Sequence, residues 1–167
     1  MAVFNNVAEE VGWTGFLFHR LQGRHRPAVA ALLTFAPFWL WHLLSFVNDT
    51  GSWLLGGAFA GLLLLPLLAT RFVIGWLYNA SGASILVVGL FHATHNATVN
   101  PGGLAVAVLG LPAEEVVVVT GGLVVLAAVV VVVATGGRLG LPDGVNGARA
   151  VGHGRSSTSA TSEGSAG

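Results

Sequence analysis

Residues 8–22 read AEEVGWTGFLFHRLQ, and the rest of the chain is best understood from this stretch. Two adjacent glutamates, Glu9 and Glu10, open an apolar run that Arg20 closes. An acidic side chain at the centre of a membrane helix costs about 2.5–3.5 kcal/mol on insertion scales, and such residues usually mark function. The two glutamates are therefore candidate functional residues.

The composition is that of an integral membrane protein surrounded by lipid. The chain has 167 residues, of which 54% are hydrophobic and 8% are charged, whereas an average soluble domain has about 25% charged residues. The formal net charge is zero, so nothing indicates a nucleic-acid partner. Because cysteine is absent, disulfides and thiolate sites are excluded, and any metal must be held by histidine, carboxylate or amide groups.

Five apolar segments of helical length predict an all-α, polytopic transmembrane helical bundle. They cover residues 3–21, 28–47, 53–78, 83–97 and 113–135, and turns rich in Gly, Pro, Asn and Ser separate them. Residues 1–135 are therefore predicted to form one membrane-embedded domain. Residues 136–167 are predicted to be a disordered tail, because a Gly- and Ser-rich segment cannot bury enough apolar surface to become ordered.

The arginines predict the orientation in the membrane. One group flanks the first loop and another follows the last segment: Arg20, Arg24 and Arg26, then Arg138, Arg149 and Arg155. With five spans both groups fall on one side, to which Arg71 is predicted to snorkel. The positive-inside rule makes that side cytoplasmic, and the tail with it. The less favoured alternative is that Arg71 is the partner of a carboxylate inside the membrane. All seven basic residues are arginine, and Ala, Gly and Val are abundant, which suggests a prokaryotic plasma membrane.

Polar residues of three segments are predicted to lie at similar depth. At 1.5 Å per helical residue, Glu9, His42 and His92 lie about 16, 22 and 15 Å from the predicted cytoplasmic ends of their segments. Asn96 shares a helix face with His92, because the two are four residues apart. Glu9 and Glu10 are about 100° apart on a helix, so at most one points directly at a shared centre and the other supports it.

These side chains suit the attack of activated water on an amide bond. A glutamate in a site shielded from water can act as a general base. Two imidazoles and an amide can stabilise an oxyanion, or they can hold a divalent metal such as zinc that does so. The predicted reaction is therefore hydrolysis of a peptide bond near the membrane.

At these residues the chain resembles the CPBP intramembrane proteases. This family is also described as the CAAX protease and bacteriocin-processing, or Abi, group, and it includes the type II CAAX prenyl endopeptidases. Three motifs carry the resemblance, in order, between residues 8 and 96: Glu9-Glu10 followed by Gly12-Trp13, then Phe38-x-x-x-His42, then His92-x-x-x-Asn96.

The resemblance implies an intramembrane metalloendopeptidase that acts on a peptide or a membrane protein. Glu9 would activate water, and Glu10 would be its neighbour in the motif. His42, His92 and Asn96 would line the same chamber as metal ligands or oxyanion stabilisers. The catalytic set implied is thus Glu9, Glu10, His42, His92 and Asn96, and the metal set is His42, His92 and Asn96.

The sequence departs from the family pattern in two places, which keeps other functions open. The family often has an arginine four residues after the second glutamate, where this chain has Thr14. The motif also begins only eight residues after Met1, whereas family members usually have further helices upstream, so the chain is expected to be either a minimal member or an N-terminally truncated one. One alternative is a non-catalytic member that acts as an immunity or scaffold protein. Another is a small ion or proton carrier that uses Glu and His as a relay.

Overall fold

The computed structural model describes residues 2–100 and 103–142, in which every regular element is a helix. In chain order these are α1 (Ala2–Glu10), a π-helix (Val11–Phe18), α2 (His19–Gln22), α3 (Pro27–Thr50), α4 (Trp53–Leu62), α5 (Leu64–Ala80), α6 (Ile85–Val99), α7 (Leu104–Leu109) and α8 (Ala113–Ala134). The predicted all-α class is confirmed, and each of the five apolar segments is helical.

Local sequence determines where several helices begin and end. Pro27 occupies the first turn of α3, where its missing N–H costs nothing. Gly51 ends α3 in the left-handed conformation, with φ +63°. Ser52 and Ser84 are the N-caps of α4 and α6, and each hydroxyl accepts a hydrogen bond, 3.3 Å long, from the backbone N–H three residues on. The turns α3–α4 and α5–α6 are thus encoded locally.

The third predicted segment is bent rather than straight. Helices α4 and α5 meet at 50° around Leu63. Pro66 explains the break, because it has no N–H to donate and its ring crowds the carbonyl of Leu62, the last residue of α4. Helix α8 packs against this bend through Gly121, where an added Cβ would lie 3.1 Å from the Pro66 ring.

Two of the described helices, α3 and α8, are long and apolar enough to cross a membrane, and the bent pair α4–α5 makes a third if it counts as one span. Helix α6 is a shorter apolar helix of 15 residues. The first segment is divided by the π-helix. Many large apolar side chains lie on the outside, such as Leu54 at 82% and Val133 at 75% exposure. The protein is therefore an integral membrane helical bundle whose segments differ in length.

The helices pack closely around a core that is centred on α5. Helix α1 packs against α6, α3 packs against α4 and α5, and α5 packs against α8. The main core cluster consists of Phe18, Ala30, Ala31, Ile74, Tyr78, Val88 and Leu139. Small residues such as these alanines let membrane helices approach closely, which strengthens van der Waals contact between them.

The packed region extends past the predicted domain boundary at residue 135. Leu139 is fully buried in the core, and its carbonyl accepts a 3.0 Å hydrogen bond from Asn79 Nδ2. The carbonyl of Gly137 likewise accepts from the N–H of Ala28. Gly136 and Gly137 have positive φ, which allows the chain to turn back onto the bundle. Residues 143–167, the remainder of the predicted tail, lie outside the described residues.

Candidate active site

Glu10, the last residue of α1, is fully buried and is held from three sides. Arg71 Nη2 donates to its Oε1 over 2.7 Å. His92 Nδ1 lies 2.8 Å from the same oxygen, at ion-pair distance but outside hydrogen-bond geometry. The hydroxyl of Thr14 donates to Oε2. Residues from α1, the π-helix, α5 and α6 therefore meet at one carboxylate.

Arg71 does not snorkel to the membrane surface, contrary to the sequence prediction. Its side chain is 2% exposed and pairs with Glu10. Its guanidinium carbon lies 4.3 Å from the centre of the Phe38 ring, at cation–π distance. Arg71 thus supplies the cation that the motif lacks at Thr14, and only the two other arginine groups still support the predicted orientation. The sequence signal for Arg71 was a charge within an apolar segment. Its partner could not be read from the sequence, because Glu10 lies 61 positions away.

The Phe38 ring joins the first segment to both histidines. Trp13 meets it edge to face at 5.8 Å between ring centres, and the His42 and His92 rings lie 4.3 and 6.4 Å away. His42 Nδ1 is 2.9 Å from the carbonyl oxygen of Phe38. Because a carbonyl can only accept, this bond places the proton of a neutral His42 on Nδ1 and leaves Nε2 as the acceptor. The contacts bring α3 and α6 together at the level of Glu10.

A π-helix follows the two glutamates immediately. It runs over Val11–Phe18, and its buried residues are Thr14 and Phe18. Short π-helical turns are rare and occur frequently at functional sites. Here the π-helix places the Thr14 hydroxyl on Glu10 and the Phe18 ring in the main core cluster.

Glu9 differs from Glu10 in its burial and in its contacts. Its side chain is only partly buried. It makes no hydrogen bond or ion pair with any of the residues in 2–100 or 103–142. Of the two adjacent glutamates, the structure therefore ties one into the bundle and leaves the carboxylate of the other available.

Asn96 lies one helical turn beyond His92 and pairs with a residue that the motifs do not include. Its Nδ2 donates to Oδ1 of Asn6 over 2.8 Å. Asn6 is buried, with 6% of its surface exposed, and precedes Glu10 by four residues. That spacing on the helix was the only sequence signal for Asn6, and the identity of its partner could not be read from it.

The predicted metal set contains an amide, so the arrangement of the His, Asp and Glu side chains alone does not test it. No group of three or more His, Asp or Glu side chains in the described part of the chain is arranged to hold a metal ion. In the set His42, His92 and Asn96, one nitrogen of His42 bonds to a carbonyl and the Asn96 amide nitrogen bonds to Asn6. These bonds leave His42 Nε2 and the Asn96 side-chain oxygen as acceptors, which are the atoms that would ligate a divalent ion, and the metal stays a prediction.

Comparison with known proteins identifies the family. The family described as type II CAAX prenyl endopeptidase Rce1-like matches residues 1–98, more than half of the chain. No curated protein and no solved structure matches. The matched range contains both glutamates, Arg71 and the three other predicted site residues. The family is one of proteases, which supports a peptide or protein substrate in a membrane setting. The chain belongs to the Rce1-like type II CAAX prenyl endopeptidase family.

Proposed function

We propose that this chain is an intramembrane endopeptidase in which Glu9 activates the attacking water. The observation that carries the proposal is the difference between the two glutamates. Both oxygens of Glu10 are engaged, by Arg71 and by Thr14. Glu9 is partly buried and makes no such contact with the described residues. A carboxylate without a bound cation is the better proton acceptor of the two.

The reaction then needs one group that accepts a proton from water and a set of hydrogen-bond donors that stabilise the oxyanion. Glu9 takes a proton from water, and the water oxygen forms a bond to the carbonyl carbon of the scissile peptide. The carbonyl oxygen becomes an oxyanion, which N–H donors of His92 and Asn96 stabilise. Glu9 then returns the proton to the leaving nitrogen as the carbon–nitrogen bond breaks.

In this proposal Glu10 and Arg71 organise the site rather than exchange protons. Their ion pair fixes the end of α1, from which Glu9 projects. His92 lies against the same carboxylate, so the base and one oxyanion donor share a rigid support. Holding reacting groups in place in this way contributes strongly to catalysis.

The predicted divalent metal would be held by His42, His92 and Asn96 and would polarise the scissile carbonyl. No step above depends on it. The alternative of a non-catalytic scaffold rested partly on the lack of a cation near the acidic pair, and Arg71 supplies one. That reason for the alternative is therefore removed.

The test is cleavage of a fluorogenic prenylated CAAX peptide by the purified full chain in detergent, with the unprenylated peptide alongside. Glu9→Gln should lower kcat by about 100-fold or more, as expected for loss of a general base, and should leave the thermal unfolding midpoint unchanged. Glu114→Gln is the matched control, because Glu114 is exposed at the start of α8. Wild-type turnover by Glu9→Gln would rule out this mechanism. A wild-type chain that folds but cleaves neither peptide would favour the non-catalytic alternative.

A further inference from the structure

Two polar pairs join α1 and α6 in a single antiparallel register. Asn6 faces Asn96, and Glu10 faces His92. Four residues forward along α1 therefore correspond to four residues back along α6, or about one turn on each helix. The second pair belongs to the site described above, so the first pair is its neighbour one turn away.

The helices approach very closely next to these pairs, which keeps the register in place. Gly89 of α6 lies against Val7 of α1, and a Cβ added to the glycine would be 2.8 Å from the Val7 Cα. Contact at this distance involves backbone and admits no larger side chain at position 89. Asn6, adjacent to Val7, is consequently held opposite Asn96.

We propose that Asn6 is a positioning residue that orients the Asn96 amide for the reaction proposed above, on which this inference rests. Asn96 is only partly buried, so without a partner its amide could rotate. The bond to Asn6 fixes one of the two Asn96 N–H groups and thereby fixes the direction of the other N–H and of the oxygen. Asn6 acts through Asn96 and does not itself reach the reacting atoms.

The first test removes the hydrogen bond and preserves the number and branching of the side-chain heavy atoms. Asn6→Leu should lower kcat by about 10–100-fold, as expected when a catalytic group is misplaced by up to about 1 Å, and should leave KM unchanged. The variant should fold, because single interhelical hydrogen bonds in membranes contribute little stability. Asn5→Leu is the matched control, since Asn5 is the adjacent residue of the same type and is exposed. Wild-type kcat in Asn6→Leu would overturn the inference.

A double-mutant cycle separates positioning from a general structural effect. In an Asn96→Ala background, Asn6→Leu should cause no further loss of kcat, because the contact through which Asn6 is proposed to act has been removed. The same loss in both backgrounds would overturn the inference. If Asn96→Ala itself cleaves at the wild-type rate, the role of Asn96 fails, and the role of Asn6 fails with it. If Asn96→Ala lowers kcat but Asn6→Leu cleaves at the wild-type rate, the inference about Asn6 is overturned and the proposed function is not.

A third readout does not depend on cleavage. The chain has no cysteine, so a thiol cross-link can form only between introduced residues. The pair Asn6→Cys and Asn96→Cys should be cross-linked in the membrane by a short bifunctional thiol reagent, because the amide groups that the two thiols replace are in contact. The pair Asn5→Cys and Asn96→Cys should not. Failure of the first pair, or equal cross-linking of both, would overturn the register and the inference, whether or not the chain proves to be an active protease.

Discussion

Arg71 of α5 and Glu10 of α1 form an ion pair inside the bundle, with the arginine Nη2 2.7 Å from the glutamate Oε1. Their side chains are 2% and 0% exposed. A buried pair depends on both partners, because either charge alone is costly in a low-dielectric interior. This relationship ties the segment that carries both glutamates to α5, and it brings in Arg71, which lies outside the three motifs.

Arg71→Met is expected to destabilise the protein severely. Removing one partner of a buried ion pair typically costs about 3–5 kcal/mol, because it leaves the other charge uncompensated. The thermal unfolding midpoint in detergent should fall sharply, and cleavage should be lost. The double variant Glu10→Gln/Arg71→Met should recover much of the midpoint without recovering cleavage, because no buried charge is left unpaired.

Arg20→Met is the control for this experiment. Arg20 also lies 4.3 Å from a phenylalanine ring centre, that of Phe16, but its side chain is exposed and it has no glutamate partner among the ion pairs of the described residues. Its loss should leave the midpoint nearly unchanged. If Arg71→Met behaves like Arg20→Met, the buried ion pair does not contribute to stability as argued.

Gly89→Ala is expected to disturb the contact between α1 and α6. The new methyl group would lie 2.8 Å from the Cα of Val7, so the two helices would have to move apart. Overpacking of this kind typically costs about 1–3 kcal/mol. Both polar pairs of the interface should loosen, so the unfolding midpoint and kcat should fall together.

Gly122→Ala provides the comparison for Gly89→Ala. Gly122 lies within α8, and an added Cβ there meets no atom within 4 Å. Replacing a helical glycine by alanine in open space should be neutral or slightly stabilising. A Gly89→Ala protein with a wild-type midpoint and wild-type kcat would show that the close approach of α1 and α6 is not required.

Metal removal is expected to leave cleavage unchanged. The proposed steps use only protein groups and water, so they predict cleavage without a bound ion. Dialysis against a strong chelator, followed by metal analysis and a cleavage assay, checks this. Loss of cleavage that Zn²⁺ restores, together with one bound ion per chain, would instead support the metal set His42, His92 and Asn96.

Much of the fold could be predicted from the sequence, because it depends on short-range properties. Hydropathy over some 20 residues marks a helix suited to the bilayer, and each predicted segment is helical. Pro27, Gly51 and Ser52 act through backbone groups within a few residues of themselves. The break at Leu63 was not predicted, because the presence of Pro66 alone does not determine whether a membrane helix bends or separates.

The sequence by itself determined the helical class, the turns and the polar residue types available for chemistry. Only the tertiary structure decided which of these residues meet: Arg71 with Glu10, Asn6 with Asn96, and Leu139 with the core. It also distinguished Glu9 from Glu10, although the two are adjacent in the sequence. The reason is that a side chain's partner depends on the rotation and register of packed helices, and that register is set by close contacts such as Gly89 against Val7, between residues far apart in the chain.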